Sequence, residues 1–150
     1  MLIALMMLAT PALAQDWRPY ENAAMLYAVD VPVALGQVAE TDEGLIVQSA
    51  TATLTVFGLR VAPMDFATAV ETAIGSSEAE GLAVTARSVT PEWARYTAVN
   101  GALQQAVGLV ALCDGASLAA YELRYMEADA VKMAPVIDRL SSTLRVSRPC

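Results

Sequence analysis

Apolar and polar residues alternate along the stretch MLYAVDVP, which closes the segment from Trp17 to Pro32. Met25, Tyr27 and Val29 fall on one face of an extended chain, and a period of two predicts a half-buried strand. Pro32 ends the strand because proline has no backbone N–H to donate to a neighbouring strand. We therefore interpret the stretch from Trp17 to Pro32 as the first strand of a sheet. After a loop that contains ETDEG, the alternating stretches LIVQSA and TATLTVFGLRV predict two more strands.

The pattern changes after Pro63. Asp65 is a suitable helix N-cap, since its carboxylate can accept hydrogen bonds from the free amides of a first turn. Apolar residues then recur at helical spacing, and Gly81 ends the segment: Phe66, Val70, Ala73 and Ile74. The stretch LAVTARSV that follows predicts another strand.

Three alternating stretches come next, EWARYTAV, ALQQAVGLVALC and ASLAAYELRY. They are separated by Asn100-Gly101 and Asp114-Gly115, which are typical two-residue hairpin turns because both turn positions favour positive φ. The chain should therefore form a three-stranded meander. A two-residue turn at Asp114-Gly115 places Gly108 opposite Tyr121, where a glycine leaves room for the ring.

The C-terminal part, Asp129 to Arg145, has apolar residues at helical spacing and predicts a second helix: Met133, Ile137, Leu140 and Leu144. The predicted order is three strands, a helix, four strands and a helix. This order favours an α+β fold in which a mostly antiparallel sheet has a helix packed on each side. Residues 15–150 are expected to form one domain.

The N-terminus has the pattern of a secretory signal peptide. An apolar run from Met1 to Ala9 is followed by Pro11 and by small residues at Ala12 and Ala14. We expect residues 1–14 to be removed by cleavage between Ala14 and Gln15. No Lys or Arg precedes the apolar run, which leaves open an upstream start codon, and the alternative is a buried N-terminal strand or helix. No later apolar run approaches the roughly 20 residues of a membrane span.

The net charge of −7 belongs to the mature part, because residues 1–14 contain no charged side chain. An acidic surface argues against binding to nucleic acids or to anionic membranes. The predicted location is periplasmic or secreted.

Two cysteines, Cys113 and Cys150, are expected to pair once the chain is exported to an oxidising compartment. In the chain-entropy model a loop of this length is worth about 3–4 kcal/mol. The alternative is a buried Cys113 with Cys150 in a frayed terminus. Neither cysteine belongs to a Cys-x-x-Cys motif, so a redox role has little support.

The stretch YENAAMLYAVDVP resembles the opening Tyr-x-Asn-x-x-x-x-Tyr pattern, with a later proline, of small exported bacterial proteins of the PsbP-like fold family. The element order and the end SSTLR, Ser141 to Arg145, are similar as well. The pair Met25-Leu26 departs from the family pattern, which has an aromatic residue and a glycine there. The resemblance implies a PsbP-like α/β/α sandwich. It also implies a role in binding other proteins without catalysis, as in a photosystem II subunit and a nuclear-import factor that binds a small GTPase.

Candidate chemistry is sparse. The chain has no histidine, which removes the commonest general base and the usual metal ligand. Glu40, Asp42 and Glu43 form an acidic loop whose spacing does not follow a calcium-binding loop, so a solvated loop is the simpler interpretation. Glu122 and Asp138 are candidates for a paired acid and base, but Glu122 is predicted to share a strand face with Arg124 and to form a local ion pair.

We predict no catalytic residues, no metal site and no cofactor. One aromatic set could form a contact surface or simply pack in the sheet: Trp17, Tyr20, Trp93, Tyr96 and Tyr125. The leading hypothesis is a non-enzymatic exported domain that binds another envelope protein through the sheet edge and the Glu40–Glu43 loop. The alternatives are a binder of small apolar ligands, with a pocket between sheet and helix, and a carboxylate-based enzyme.

Overall fold

The computed structural model describes residues 16–150 of the chain. Over these residues, ten strands and two α-helices follow one another: β1 Trp17–Asn22, β2 Tyr27–Pro32, β3 Gln37–Glu40, β4 Gly44–Gln48, β5 Ala52–Arg60, α1 Phe66–Ala79, β6 Ala83–Val89, β7 Trp93–Asn100, β8 Leu103–Ala111, β9 Ser117–Met126, α2 Ala130–Thr143 and β10 Arg145–Val146. The predicted signal peptide and its cleavage point at Ala14 and Gln15 lie outside the described residues.

Seven strands form the main sheet, in the order β3-β4-β5-β9-β8-β7-β6. Every neighbouring pair in it is antiparallel. A second sheet of three strands has the order β1-β2-β10, also antiparallel. The predicted α+β class with a mostly antiparallel sheet is therefore confirmed.

The apolar core is divided between two clusters that meet at β9. Tyr121 and Leu123 pack in one cluster with the buried α2 residues Met133, Val136 and Leu140. Leu118 and Ala120 pack in the other cluster with the buried α1 residues Ala69, Val70 and Ile74. Because successive side chains of a strand project to opposite faces, each helix packs against a different set of alternating strand positions.

The stretch from Trp17 to Pro32 forms a hairpin of two strands, so its interpretation as one strand is wrong. β1 carries Pro19 and is largely exposed, so it shows little alternation. A proline is tolerated there because β1 lies at the edge of its sheet. The short strands β3 and β10 were also not predicted. All four β3 residues are exposed, which leaves no apolar pattern to detect.

The hairpin of β8 and β9 has the predicted register, with Gly108 opposite Tyr121. The predicted turn at Asn100-Gly101 is shifted by one residue, since Asn100 pairs with Leu103 and the turn consists of Gly101 and Ala102. A Cβ atom at Gly108 would overlap the Tyr121 ring, which explains the need for glycine at this position. The prediction of positive φ at both turn residues is wrong, since only Gly101 and Gly115 adopt it. Asp114 instead accepts hydrogen bonds from the amides of Ala116 and Ser117, at 2.9 and 2.8 Å.

The helix prediction is confirmed at Asp65, whose carboxylate accepts a hydrogen bond from the Thr68 amide at 2.8 Å. Gly81, with φ of +89°, follows the end of α1. Within residues 16–150, no helix is both long and apolar enough to cross a membrane.

Candidate binding groove between α2 and the sheet

A groove lies between the C-terminal half of α2 and strands β6 to β8, and we call it the α2 groove. It consists of two adjoining cavities, of about 290 and 240 Å3. Both are lined by Arg95, Tyr121 and Ser141. The first cavity extends to Thr97 and Asp138, and the second extends to further residues at its other end: Trp93, Gly108, Val110, Leu144, Arg145 and Val146.

Strand periodicity places the polar residues of β7 in this groove. Ala94 and Tyr96 are buried against α1, so the alternate residues Trp93, Arg95 and Thr97 project to the other face of the sheet. Because α2 packs mainly on β9 and β8 among the strands of the main sheet, this face of β7 stays open, and the Trp93 side chain is 39% exposed.

Arg95 and Tyr121 meet Ser141 at the centre of the groove. The Arg95 guanidinium donates a hydrogen bond to the Ser141 carbonyl at 2.9 Å and lies 4.9 Å from the centre of the Trp93 ring. The hydroxyls of Tyr121 and Ser141 are 2.6 Å apart. Burial raises the pKa of Tyr121 above its ordinary value, although the bond to Ser141 and the charge of Arg95 act in the opposite direction. Tyr121 is therefore a neutral hydrogen-bonding group at physiological pH.

The proposed acid and base pair does not form. Glu122 bonds to Arg124, which also contacts Glu80, so the predicted local ion pair is confirmed. Asp138 lies instead on α2 and lines the first cavity of the groove. Because Glu122 alternates with Tyr121 on β9, its side chain projects to the face opposite the groove.

The acidic loop is tied to the N-terminal hairpin. Glu40 forms an ion pair with Arg18 at 2.8 Å. The backbone carbonyls of Asp42 and Glu43 accept hydrogen bonds from Asn22 at 3.1 Å and from Tyr27 at 2.7 Å. Within residues 16–150, no group of three or more Asp, Glu, Cys or His side chains is arranged to hold a metal ion.

The residues of the opening motif therefore have a structural role. Asn22 is buried, accepts a hydrogen bond from the Met25 amide at 2.9 Å and donates one to the Tyr20 hydroxyl at 3.3 Å. The Tyr20 and Tyr27 rings lie 6.1 Å apart. These contacts close the turn between β1 and β2, and they join it to the acidic loop.

The aromatic set does not form one contact surface. Tyr96 and Tyr125 are buried, and the Tyr96 hydroxyl lies 2.9 Å from the Ser77 hydroxyl under α1. Trp17 is covered by Arg139, whose guanidinium lies 4.6 Å from the ring centre. Trp93 is the member of this set that is open to solvent beside a cavity.

The expected disulfide between Cys113 and Cys150 is confirmed. It attaches the C-terminal segment to the turn between β8 and β9. The C-terminal segment also contains β10, which pairs with β2. Leu144 and Val146 of this segment line the second cavity. The disulfide and β10 together hold one wall of the α2 groove.

Three residues at the centre of the groove were not identified as site residues from the sequence: Arg95, Tyr121 and Ser141. The signal for Arg95 was present in the stretch EWARYTAV, because a charged residue shares an alternating face with a tryptophan. Ser141 gave no signal, since a serine near a helix end is usually a solvated residue.

No protein-family model matches the sequence, and a search of curated proteins finds no significant match. Solved structures do share the fold. The solution structure of cyanobacterial PsbP from Synechocystis has a TM-score of 0.64 at 10% identity, covering 92% of this chain and 96% of that chain. The Ran-binding protein Mog1p of Saccharomyces cerevisiae has a TM-score of 0.64 at 9% identity, covering 89% and 97%. At such identities the likeness shows the fold alone, and it confirms the PsbP-like fold.

Proposed function

We propose that this chain is an exported, non-catalytic binding domain that contacts another protein in the bacterial cell envelope. The α2 groove carries the proposal, because an exposed Trp93 and an exposed Arg95 stand beside a buried floor. Tryptophan and arginine are enriched among the residues that dominate protein–protein binding. The structural likeness to the Ran-binding protein Mog1p is compatible with a protein partner.

Export is supported by the disulfide between Cys113 and Cys150, since such bonds persist mainly in oxidising compartments. The signal-like sequence before Gln15 supports the same conclusion. Cell fractionation and N-terminal sequencing test this part of the proposal. We expect a protein outside the cytoplasm that begins at Gln15, and an intact N-terminus in the cytoplasm would contradict it.

A non-catalytic role is supported by the positions of the carboxylates. Catalysis by two carboxylates requires that they share a cleft and that their environments separate their pKa values. Glu122 projects from the sheet away from the α2 groove, whereas Asp138 lies on α2 and lines that groove. The pKa values of Asp65 and Asp114 are lowered by hydrogen bonds in a helix cap and in a turn, which are structural positions.

Site-directed photo-cross-linking tests the protein-binding function. A benzophenone amino acid replaces Ser88, an exposed residue that lines the first cavity, and the full chain is expressed in the cells from which it comes. The matched control carries the same amino acid at Val131, which is 91% exposed on α2. We expect one dominant protein adduct from position 88 that is absent from position 131. Equal or absent adducts at both positions would contradict the proposal.

A second candidate function is the binding of a small apolar ligand. The observation that favours it is the size of the two cavities, about 290 and 240 Å3, with three polar groups that converge between them. Pockets of a few hundred Å3 with a few placed polar groups are typical of small-molecule sites. Native mass spectrometry of protein purified from its own cells tests this function, because a bound small ligand would add a defined mass to that of the chain. A spectrum with the mass of the chain alone would contradict it.

A further inference from the structure

The shape of the α2 groove fits an extended chain. Its open side follows β7 from Trp93 to Thr97, and four residue steps of a strand span roughly 13 Å. Beside Arg95 the floor consists of Gly108 and of the Tyr121 ring that packs over it. An extended segment of about four residues can lie along this length with its side chains in the two cavities.

The walls of the groove are mostly apolar. Ile137 contributes to the first cavity, and Val110, Leu144 and Val146 contribute to the second. These four side chains are half-buried. An occupant with apolar side chains would complete their burial, which favours binding in proportion to the apolar area removed from water.

The arginine side chains of the groove favour an occupant with an acidic group. Arg18, Arg87, Arg124 and Arg139 each form an ion pair with a carboxylate. Neither Arg95 nor Arg145, which both line the second cavity, pairs with a carboxylate within residues 16–150. Arg95 and Arg145 donate hydrogen bonds to the backbone carbonyls of Ser141 and Thr143, respectively.

Arg95 is held in a geometry that suits a carboxylate. The Trp93 ring covers one face of its guanidinium, which leaves the edges of the plane available. A guanidinium has five N–H donors, and Arg95 uses one for the Ser141 carbonyl. The remaining donors can form the two parallel bonds by which arginine binds carboxylates.

We propose that the α2 groove binds an extended segment of the partner protein that carries an aspartate or glutamate among apolar residues, with the carboxylate on Arg95. The proposal rests on the protein-binding function above. Arg145 adds a second positive charge at the end of the second cavity. Among the described residues, the second cavity has no Asp or Glu in its lining, whereas Asp138 lines the first. In a chain with a net charge of −7, this pair of arginines makes the second cavity a local site for an acidic group.

A peptide array tests the chemistry of the occupant without knowledge of the partner. The array carries five-residue peptides with a central glutamate and with Ala, Leu, Val, Phe or Ser at the other positions. A second array has the same peptides with a central glutamine. Labelled, disulfide-bonded protein is applied to both, and the strongest peptides are then titrated by NMR with 15N-labelled protein.

We expect the best glutamate peptides to bind about tenfold more tightly than their glutamine counterparts, since a hydrogen bond to a charged group is worth this much. Backbone amide shifts should concentrate at residues 93–97 and 106–110, and added salt should weaken binding. Arg95→Gln should abolish the preference for glutamate. Arg18→Gln removes the same charge from an ion pair outside the groove and should leave the preference intact.

Three results would overturn the proposal. One is equal binding of the two arrays, and another is a glutamate preference that survives Arg95→Gln in a folded variant. The third is hexanoate binding as tightly as the best peptide, which would indicate a small-ligand site. Photo-cross-linking from position 88 separates this proposal from the previous one. A partner captured equally by the Arg95→Gln variant would overturn the carboxylate inference and leave the protein-binding function in place.

Discussion

At the scale of single residues, Leu26 shows how a departure from a family pattern becomes visible in the backbone. Leu26 has φ of +61° in the turn between β1 and β2, a conformation that glycine adopts readily and leucine does not. The resemblance to PsbP-like proteins placed a glycine at this position. Its backbone bonds, from its amide to Asn22 and from Ser147 to its carbonyl, hold it there at a cost of about 1 kcal/mol.

Replacement of Leu26 tests this strain. The Leu26 side chain is 42% exposed, so its loss costs little packing. We expect Leu26→Gly to be about 1 kcal/mol more stable than Leu26→Ala, because both remove the side chain and only glycine relieves the strain. Urea denaturation measures the difference. An alanine variant as stable as the glycine variant would show that the turn is not strained.

Gln105 is an exception to the rule that buried polar side chains form hydrogen bonds. It is 1% exposed, and among residues 16–150 neither its amide nitrogen nor its amide oxygen has a hydrogen-bond partner. It sits between Ala98 and Arg124 in the register of β7, β8 and β9. An unpaired buried amide costs free energy that an apolar side chain of similar shape does not.

We therefore expect Gln105→Met to raise the free energy of unfolding by about 1–2 kcal/mol. The neighbouring Gln104 is half-buried and projects to the other face, so Gln104→Met serves as the control and should change stability by less than about 0.5 kcal/mol. Thermal and urea unfolding measure both variants. A destabilised Gln105→Met protein would mean that the amide does form hydrogen bonds in solution.

At the scale of elements, the turn between β8 and β9 combines the positive φ of Gly115 with hydrogen bonds to the side chain of Asp114. The Asp114 carboxylate accepts three hydrogen bonds, from two backbone amides and from the Ser117 hydroxyl at 2.7 Å. These bonds, led by the one from the Ala116 amide, lower the pKa of Asp114 in the folded protein. The same turn carries Cys113 and thereby holds the C-terminal segment.

The lowered pKa of Asp114 predicts the direction in which folding stability changes with pH. Because the folded pKa lies below the unfolded value, the carboxylate stabilises the fold above the unfolded pKa. This stability is lost as the pH falls through the folded pKa. We expect wild-type stability to fall more between pH 6 and pH 3 than the stability of Asp114→Asn. Urea titrations across this range give the comparison, and parallel curves would contradict the assignment.

Helices and strands differed in how well the sequence predicted them. α1 and the four strands after it were predicted because each has a clear period and a marked end, such as Asp65 and Gly81. β1 and β3 were missed because their sequences, WRPYEN and QVAE, do not alternate regularly between apolar and polar residues. β1 pairs with β2, and β3 pairs with β4. These pairings are seen only once the chain is folded.

At the scale of the whole molecule, the disulfide joins the C-terminal segment to the main sheet over 37 residues of chain. A cross-link of this length stabilises mainly by restricting the unfolded chain, by about 3–4 kcal/mol in the chain-entropy model. The same bond fixes the segment that contains Leu144 and Val146 at the wall of the α2 groove. Stability and the shape of the candidate site are therefore linked.

We expect the double variant Cys113→Ser with Cys150→Ser to lose about 3–4 kcal/mol of unfolding free energy. Wild-type protein treated with a reductant is the chemical counterpart and should lose a similar amount, whereas the reductant should leave the double variant unchanged. Urea denaturation measures the loss. A double variant as stable as the oxidised wild type would show that β10 and the α2 packing hold the segment without the bond.

The sequence by itself determined the fold class, the two helices, the meander with the register of β8 and β9, and the two cysteines available for a disulfide. These features depend on local periodicity, on caps and turns, and on residue type, all of which can be read along the chain. The tertiary structure decided that Trp93, Arg95, Tyr121 and Ser141 meet in one groove. Their convergence depends on how α2 lies on the sheet, and that arrangement is set by packing between residues far apart in sequence.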